Sequence, residues 1–500
     1  MKCYKLFSFF VVFIAVIFLS CFKVCYAEEN NFSGNFYKIH EDYIYRMNDL
    51  GVQLIKINNS NKMEVESFID EGKLLNGNIH ILDDKLFFSG VRNIGEKNFL
   101  NVFVYDIYDK NFPIKTNEFS LCGSKYSFRE KDGIVYLCLQ GEENKITIVS
   151  LDLNKEKVFP KVYEFSGSGF NFTYLSEDDL YVVCSKDFVD KKVTTIYKFD
   201  VDLDILTYVD EFSFDGFILN ERFINEYEDE LRILSFGGND ENKFYVLNED
   251  FKILNSVKVF CDDENINNIY FDGYNCYLCG FVKRGYFSLY DLSNNSFNEV
   301  SKMKLSSSIN YIYKLNDNRI LAIGSEHRAD TYKNIQSNKI YDIIKNIGIN
   351  IMLIDVSDKN IKLHDEYLIK GKQVYSPCFM DEGKLLYLKD KNILAFPLDI
   401  SNYTNEVDIN SAMEVSSNFF KNSVLNYDKI FNGVYVFDLN FNKKIDLKFI
   451  IDNDQDLKNL NYKEVDAIQF YKNNIFIFTD DMIKIFNFKG KLVSELNLWK

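Results

Sequence analysis

The sequence predicts an all-β fold, and three of its features lead to this prediction. Short segments rich in Phe, Tyr, Ile and Val alternate with acidic or Asn/Gly turns, as antiparallel strands do. A strand–turn–strand phrase recurs along the chain, for example at Ile79–Gly90 and again at Thr173–Val183. With only four prolines in 500 residues, few strands are interrupted.

The phrase returns at a regular interval. Acidic turn residues mark six successive copies, at Asp83, Asp132, Asp178, Asp229, Asp272 and Asp317. Their positions give intervals of 49, 46, 51, 43 and 45 residues by subtraction. A period of about 40 to 50 residues with several short strands per repeat is typical of a β-propeller blade.

Each repeat contains four predicted strands. One copy reads Ile79–Leu82, Leu86–Val91, Asn98–Tyr105 and Ile114–Leu121. Counting the first hairpin of every repeat gives nine, at Glu41, Asp83, Asp132, Asp178, Asp229, Asp272, Asp317, Glu382 and Asn473. Propellers commonly have four to eight blades, and two repeats are long or irregular. We therefore expect eight four-stranded blades, with nine by the hairpin count and seven also open.

The first 27 residues have the pattern of a signal peptide. Lys2 and Lys5 precede an uncharged apolar run, Phe7–Phe22, and the small residue Ala27 ends the segment. The run is short for a membrane span, and cleavage after Ala27 is the favoured outcome. A retained anchor and lipidation at Cys21 remain alternatives.

The domain organisation follows from these patterns. Residues 28–35 are polar and are predicted to be a disordered linker, and residues 36–500 form the propeller domain. No second apolar segment is long enough to span a bilayer. We therefore expect a monomer that is secreted or associated with the cell envelope.

The charge balance argues against nucleic acid as a partner. Removal of the signal takes away three lysines and no acids, which leaves 55 basic against 74 acidic residues, a net charge of −19. Nucleic-acid binding needs a concentrated positive surface. The acidic composition instead indicates a solvated surface.

Seven cysteines remain after signal removal: Cys122, Cys138, Cys184, Cys261, Cys276, Cys279 and Cys378. Most lie within apolar strand segments, which favours core packing. Cys276 and Cys279 are three positions apart, so on a strand they point to opposite faces, a poor geometry for one metal ion. A disulfide, or a redox or zinc role, remains open.

No catalytic, cofactor-binding or metal-binding residue is predicted. The acidic run Asp200, Asp202 and Asp204 lacks the glycine and distal glutamate of a calcium loop. The glycine-rich turns lack the following helix that a phosphate cradle needs. No nucleophile elbow is present in the sequence.

Two insertions are the most site-like features of the chain. They span 325–348 and 402–432, between the second and third predicted strands of neighbouring repeats, so both should emerge on one face. Isoleucines with helical spacing predict a short amphipathic helix in the first. The candidate partner-binding residues are His327, Tyr332, Ile340, Ile343, Ile344 and Ile347. The alternative is that both insertions are surface loops without a function.

Three segments of the chain match phrases of a known family: Thr194–Phe199, Gly216–Ile233 and Asn242–Asn248. On these segments the sequence resembles secreted bacterial and archaeal proteins with a C-terminal β-propeller domain distantly related to WD repeats, and the resemblance extends over about Phe36 to Leu498. Where that family has Gln-Phe-Ser, this chain has Glu221-Arg222-Phe223. The resemblance implies a location and a fold but no catalytic residues.

Three functions remain open from the sequence. The first is an exported binding or interaction module for a protein or glycan partner at the cell surface. The second is a hydrolase or lyase acting on polysaccharide, with acidic groups lining the central channel of the propeller. The third is a structural component of the envelope.

Overall fold

The computed structural model describes residues 36–498, apart from several short gaps. The gaps are 124–125, 189–190, 239–240, 260–265, 282–284, 334–339, 372, 380–381, 404–426, 441–443 and 454–463. The predicted signal peptide and linker, residues 1–35, therefore lie outside the described residues. Across the described ranges the chain forms 37 strands and five single-turn 3-10 helices. None of the helices in these ranges is long and apolar enough to cross a membrane.

The chain divides into two compact units. The first comprises the described residues of Met1–Lys56 and Glu64–Ser124, and the second comprises Ile57–Met63 and the described residues of Lys125–Lys500.

The first unit contains two antiparallel sheets of four strands. Sheet 1 has the order β1 (Phe36–His40), β2 (Tyr43–Asn48), β3 (Gly51–Ile57), β4 (Met63–Asp70). Sheet 2 has the order β5 (Leu75–Leu82), β6 (Lys85–Ile94), β7 (Lys97–Asp106), β8 (Ile114–Cys122).

Apolar side chains from both of these sheets form one core. Tyr45 and Leu54 of sheet 1 pack with Phe88 and Phe103 of sheet 2, and all four are buried. The Phe88 and Phe103 rings stack with their centroids 5.0 Å apart. Burial of such large side chains is the main stabilising contribution to the unit.

The second unit begins with three sheets of the same design. Sheet 3 contains β9 (Tyr126–Lys131), β10 (Ile134–Gln140), β11 (Lys145–Asp152) and β12 (Lys161–Ser166). Sheet 4 contains β13 (Phe170–Leu175), β14 (Asp179–Asp187), β15 (Lys192–Asp202) and β16 (Ile205–Asp215). Sheet 5 follows a 3-10 turn, η1 (Glu221–Phe223), and contains β17 (Ile224–Tyr227), β18 (Glu230–Gly238), β19 (Glu241–Leu247) and β20 (Ile253–Val259).

Two further sheets follow. Sheet 6 contains β21 (Ile266–Asp272), β22 (Asn275–Phe281), β23 (Gly285–Asp291), the 3-10 turn η2 (Ser293–Asn295) and β24 (Asn298–Leu305). Sheet 7 contains β25 (Ser307–Asn316), β26 (Arg319–Lys333), β27 (Ile340–Asp355) and β28 (Lys362–Lys370).

Sheet 8 is the irregular one. It contains β29 (Gln373–Tyr375), η3 (Pro377–Phe379), η4 (Glu382–Lys384), β30 (Leu386–Leu388), η5 (Lys389–Lys391), β31 (Ile393–Tyr403), β32 (Tyr427–Asn440) and β33 (Lys444–Asp452). Its first strand is broken into β29 and β30, which both pair with β31. The predicted hairpin at Glu382 is thus a run of 3-10 turns. Sheet 9 is regular, with β34 (Ala467–Tyr471), β35 (Asn474–Thr479), β36 (Met482–Asn487) and β37 (Leu492–Asn497).

In the described residues, nine sheets are therefore present, as the hairpin count gives, rather than the favoured eight. In eight of them the four strands pair in chain order, in sheet 8 β29 and β30 both pair with β31, and all neighbouring strands are antiparallel. The four strands expected between Ile79 and Leu121 are β5 to β8. The all-β prediction with four-stranded blades is confirmed.

Several of the turn residues that mark the repeats have a left-handed backbone conformation. Asp83, Asp132, Asp229 and Asn473 all have positive φ, between 49° and 63°. Asp and Asn tolerate this left-handed region better than most residues, and it suits the tight turns of hairpins. The recurrence of these residue types therefore indicates tight hairpin turns.

The predicted helix at Ile340–Ile347 is wrong, because this segment belongs to strand β27. Its partner is the end of β26, with Lys333 opposite Ile340 and Glu326 opposite Gly348. Isoleucine is β-branched and favours strands over helices. The spacing of four isoleucines fits a helix by coincidence, and the available partner strand decides the structure.

Candidate functional site

A two-stranded hairpin extends beyond the rest of sheet 7. The pairing of β25 with β26 reaches Glu326, and the pairing of β28 with β27 reaches Gly348. Beyond these points β26 and β27 pair with each other, from His327 opposite Asn346 to Lys333 opposite Ile340. We call the segments His327–Lys333 and Ile340–Asn346 the arm.

The arm begins at a β-bulge. Glu326 faces Gly348 and His327 faces Asn346, so Ile347 is an extra residue in β27. A bulge bends the bulged strand and increases its twist. The arm therefore leaves sheet 7 in a direction different from that of its parent strands.

The base of the arm is also fixed to sheet 8 and to Gly371, which follows β28. Asn346 Nδ2 donates a hydrogen bond of 3.0 Å to the Val374 carbonyl, and the Gly371 N–H donates one of 3.2 Å to the Ile347 carbonyl. In sheet 8, β31 and β32 pair as far as Tyr403 opposite Tyr427. The two insertions thus leave neighbouring sheets from the same ends of their second strands, and residues 404–426 lie outside the described residues.

The candidate partner-binding residues all belong to β26 or β27. Their backbones come together in the arm or its base: Tyr332 is on β26, Ile340, Ile343 and Ile344 are on β27, and His327 and Ile347 are at the base. His327 and Ile347 are half-buried. The side chains of the other four lie outside the described set.

A buried carboxylate organises the base of the arm. Glu326 is 8% exposed, and its Oε2 accepts hydrogen bonds from Ser306 Oγ at 2.8 Å and Ser307 Oγ at 2.5 Å. Asn350 Nδ2 donates to Ser307 Oγ and to Glu366 Oε2, both at 3.2 Å. These donors compensate the cost of burying a charge. Sequence reasoning missed this cluster, although the Ser306-Ser307-Ser308 run at the start of β25 was a visible signal.

His327 contacts a serine hydroxyl in the same cluster. Its Nε2 lies 2.9 Å from Ser308 Oγ, and its ring packs on Phe281 with centroids 4.5 Å apart. Burial lowers the pKa of His327, although nearby Glu326 opposes this shift. A serine beside a neutral imidazole is the beginning of a nucleophile–base pair. However, the Glu326 carboxylate holds serine hydroxyls rather than the imidazole, so this arrangement is a support for the arm.

A polar cavity of about 350 Å³ lies at the other end of sheet 7. Asn316, Asp317, Asn318, Arg319, Asp355 and Ser357 line it. Arg319 Nη1 lies 2.5 Å from Asp355 Oδ2, and both the N–H and the hydroxyl of Ser357 donate to Asp355 Oδ1. The Asp355 carboxylate therefore already stabilises the local turn.

The turn η1 contacts the first strands of several sheets in the second unit. Glu221 forms an ion pair with Arg129 of β9, and Arg222 Nη1 donates a 3.1 Å hydrogen bond to the Asn310 carbonyl of β25. The Arg222 guanidinium also lies 5.3 Å from the centre of the Tyr311 ring. The three residues that depart from the family phrase thus have structural contacts here, since Phe223 is fully buried.

Two amide side chains of β21, a strand that contacts η1, donate hydrogen bonds to β25. Asn268 Nδ2 donates to the Asn310 carbonyl at 2.7 Å, and Asn267 Nδ2 donates to the Ile309 carbonyl at 3.3 Å. These bonds join the first strands of sheets 6 and 7. Because Glu221 is paired with Arg129, this region gives little support to a polysaccharide-cleaving site with two free carboxylates.

No group of three or more His, Cys, Asp or Glu residues in the described ranges could hold a metal ion. Asp204, from the acidic run considered in the sequence, instead accepts hydrogen bonds from Lys155 at 2.8 Å and Lys161 at 3.0 Å. Burial raises the pKa of Asp204, but these two lysines outweigh it and the pKa is lowered.

Repeated four-stranded antiparallel sheets, each with its strands in chain order, define a β-propeller. The chain belongs to the Beta propeller domain family, whose model matches residues 140–490.

One curated relative is an uncharacterized protein of Archaeoglobus fulgidus, 30% identical over 112 residues. The match covers 22% of this chain and 18% of that protein. Among solved structures, Hsv2p of Kluyveromyces lactis is 9% identical, with a TM-score of 0.34, 67% of this chain covered and 98% of that chain. Sqt1 from Chaetomium thermophilum is also 9% identical, with a TM-score of 0.40 and coverage of 79% and 91%.

Proposed function

We propose that this protein is an exported β-propeller that acts as an interaction module, binding a protein or glycan partner through the face that carries the arm. The observation that carries the proposal is the arm itself: β26 and β27 are 15 and 16 residues long and continue beyond both neighbouring strands of sheet 7. Binding residues are disproportionately found on segments that a rigid scaffold holds at the surface.

The arm needs support at its base. A two-stranded ribbon without further strands is marginally stable in water. Here its base is held by the buried Glu326 cluster, by the Ile347 bulge and by hydrogen bonds to sheet 8. Such a supported base and a projecting ribbon suit the presentation of a binding surface.

Export rests on the N-terminal sequence, with its two lysines, apolar run and Ala27. Its test is fractionation of cells that produce the full chain, with mass determination of the product. We expect a mature protein outside the cytoplasm that begins at Glu28. A full-length product retained in the cytoplasm would contradict export.

The binding function is tested by removing the arm. In the arm-truncated variant, Asn-Gly replaces residues 328–345, so that a two-residue turn joins His327 to Asn346. We expect the full chain to capture a partner from an envelope extract by cross-linking, and the truncated variant to lose that capture.

A matched truncation supplies the control. In sheet 4, Asp187 is the last residue of β14 and pairs with Lys192, so Asn-Gly can replace residues 188–191 at the equivalent turn. This variant should retain capture. Circular dichroism and thermal unfolding establish that both variants fold. Undiminished capture by a folded arm-truncated protein would end the proposal.

A further inference from the structure

We infer that the arm binds by strand addition: an acidic polypeptide segment in extended conformation pairs with an open edge of the arm. This inference rests on the proposed function and names the chemistry of the partner. It is carried by the pairing of the arm, by its residue types and by its charge.

The backbone pairing of the arm supports strand addition. Each arm strand pairs, in the described ranges, with its partner in the hairpin, because β25 and β28 end their pairing at Glu326 and Gly348. Seven residue pairs, from His327–Asn346 to Lys333–Ile340, therefore form a ribbon with two edges that no described strand covers. An open edge presents alternate N–H and C=O groups that an added strand can satisfy.

The residue types of the arm strands also suit strand addition. Ile340, Tyr341, Ile343 and Ile344 are among the residue types most favourable for strands. The sequence between His327 and Asn346 contains no proline, which would remove an N–H from an edge. An added strand can therefore pair with these edges along the whole length of the arm.

The charge of the arm sequence indicates an acidic partner. Between His327 and Asn346 the sequence has four basic residues and two acidic ones, a net charge of +2 by subtraction: Arg328, Lys333, Lys339 and Lys345 against Asp330 and Asp342. The whole chain has a net charge of −16. At close range the basic ribbon attracts an acidic segment and repels a basic one, whereas the acidic remainder of the protein acts in the opposite sense.

The experiment uses the full chain and labelled peptides of roughly nine residues, the length that matches seven residue pairs with one residue beyond each end. One peptide alternates valine and glutamate. A second has the same side chains but N-methyl groups on alternate backbone amides, and a third has lysine in place of glutamate. Binding is measured by fluorescence anisotropy at low salt.

We expect the valine–glutamate peptide to bind, and the N-methylated and lysine peptides to bind at least roughly tenfold more weakly. The arm-truncated variant should not bind the valine–glutamate peptide, whereas the sheet 4 variant should bind it like the full chain. N-methylation separates main-chain pairing from side-chain recognition because the side chains are unchanged.

Several results would overturn strand addition: no binding of the valine–glutamate peptide, equal binding of its N-methylated form, or equal binding by the arm-truncated variant. If the arm still captures an envelope partner in any of these cases, the proposed function stands and only the mode of binding is wrong. If arm truncation leaves capture unchanged, the proposed function fails first.

Discussion

Lys198 Nζ lies 2.9 Å from Asp179 Oδ2, and both side chains are buried in sheet 4. The Tyr181 hydroxyl, which has one proton to donate, lies 3.2 Å from the same Asp179 oxygen and 2.9 Å from Glu226 Oε2. Burial raises the pKa of Asp179, although Lys198 opposes this shift. The pair is therefore a costly buried network that depends on both partners.

Replacing one partner of this pair should be strongly destabilising. In Lys198→Met, Asp179 keeps its burial but loses its counter-charge, and we expect the free energy of unfolding to fall by about 3–5 kcal/mol. The measurement is chemical denaturation at neutral pH, followed by circular dichroism.

The double variant Asp179→Asn, Lys198→Met is the control. With both charges removed, it should recover a substantial part of the lost stability, because no uncompensated charge remains buried. Asp179→Asn is measured alongside. If the stability loss of the double variant equals the sum of the losses of Asp179→Asn and Lys198→Met, the two residues act independently.

Asp355 should make stability depend on acidic pH. Burial raises the pKa of Asp355, but hydrogen bonds from Ser357 and Arg319 outweigh this effect and hold the pKa at about 2. Its pKa in the unfolded chain is about 3.9, so the stabilisation is present above that pH and is lost as the pH falls from about 4 to about 2.

The test is thermal unfolding of Asp355→Asn at several pH values. At neutral pH the variant should be less stable by about 2 kcal/mol, and the difference from the natural protein should disappear near pH 2. A difference that is constant across this range would show that the charge of Asp355 contributes nothing.

The sheets were predictable from sequence because their turn chemistry is local. Residues such as Asp83 and Asn473 take a positive φ that few residue types tolerate, so their recurrence marks hairpins wherever they occur. The sequence rule failed at Glu382, where a run of 3-10 turns divides the first strand of sheet 8. It also failed at Ile340–Ile347, because a helical spacing carries no information about a partner strand.

The contacts at the base of the arm could not be predicted from the sequence, for a different reason. Glu326 meets Ser306 and Ser307 only when β25 and β26 pair in one register, and Asn350 reaches them from a third strand. No spacing along the chain encodes such contacts. The insertion itself was visible because it interrupted the repeat, and His327 was singled out for that reason.

Removing the ring of Phe223 should test the role of η1. Phe223 is fully buried and packs edge-on against Phe236 with centroids 5.2 Å apart. Phe223→Ala should lower the free energy of unfolding by about 3–5 kcal/mol, through lost burial and the cavity that remains. Phe188, which is 53% exposed, is the matched control, and Phe188→Ala should change stability by less than about 0.5 kcal/mol. Equal effects of the two substitutions would show that η1 does not anchor the sheets around it.

Thiol labelling should distinguish the buried cysteines from the half-buried one. Cys138, Cys184, Cys276, Cys279 and Cys378 are buried, whereas Cys122 is half-buried. Cys276 and Cys279 pack in different cores on the two faces of β22, and burial raises the pKa of both thiols. Because the thiolate is the reactive form, iodoacetamide should modify Cys122 first in the native protein and the five buried thiols only after unfolding, as peptide mapping by mass spectrometry can show. Recovery of a disulfide between two of the five, or their labelling at the rate of Cys122, would contradict a role in core packing.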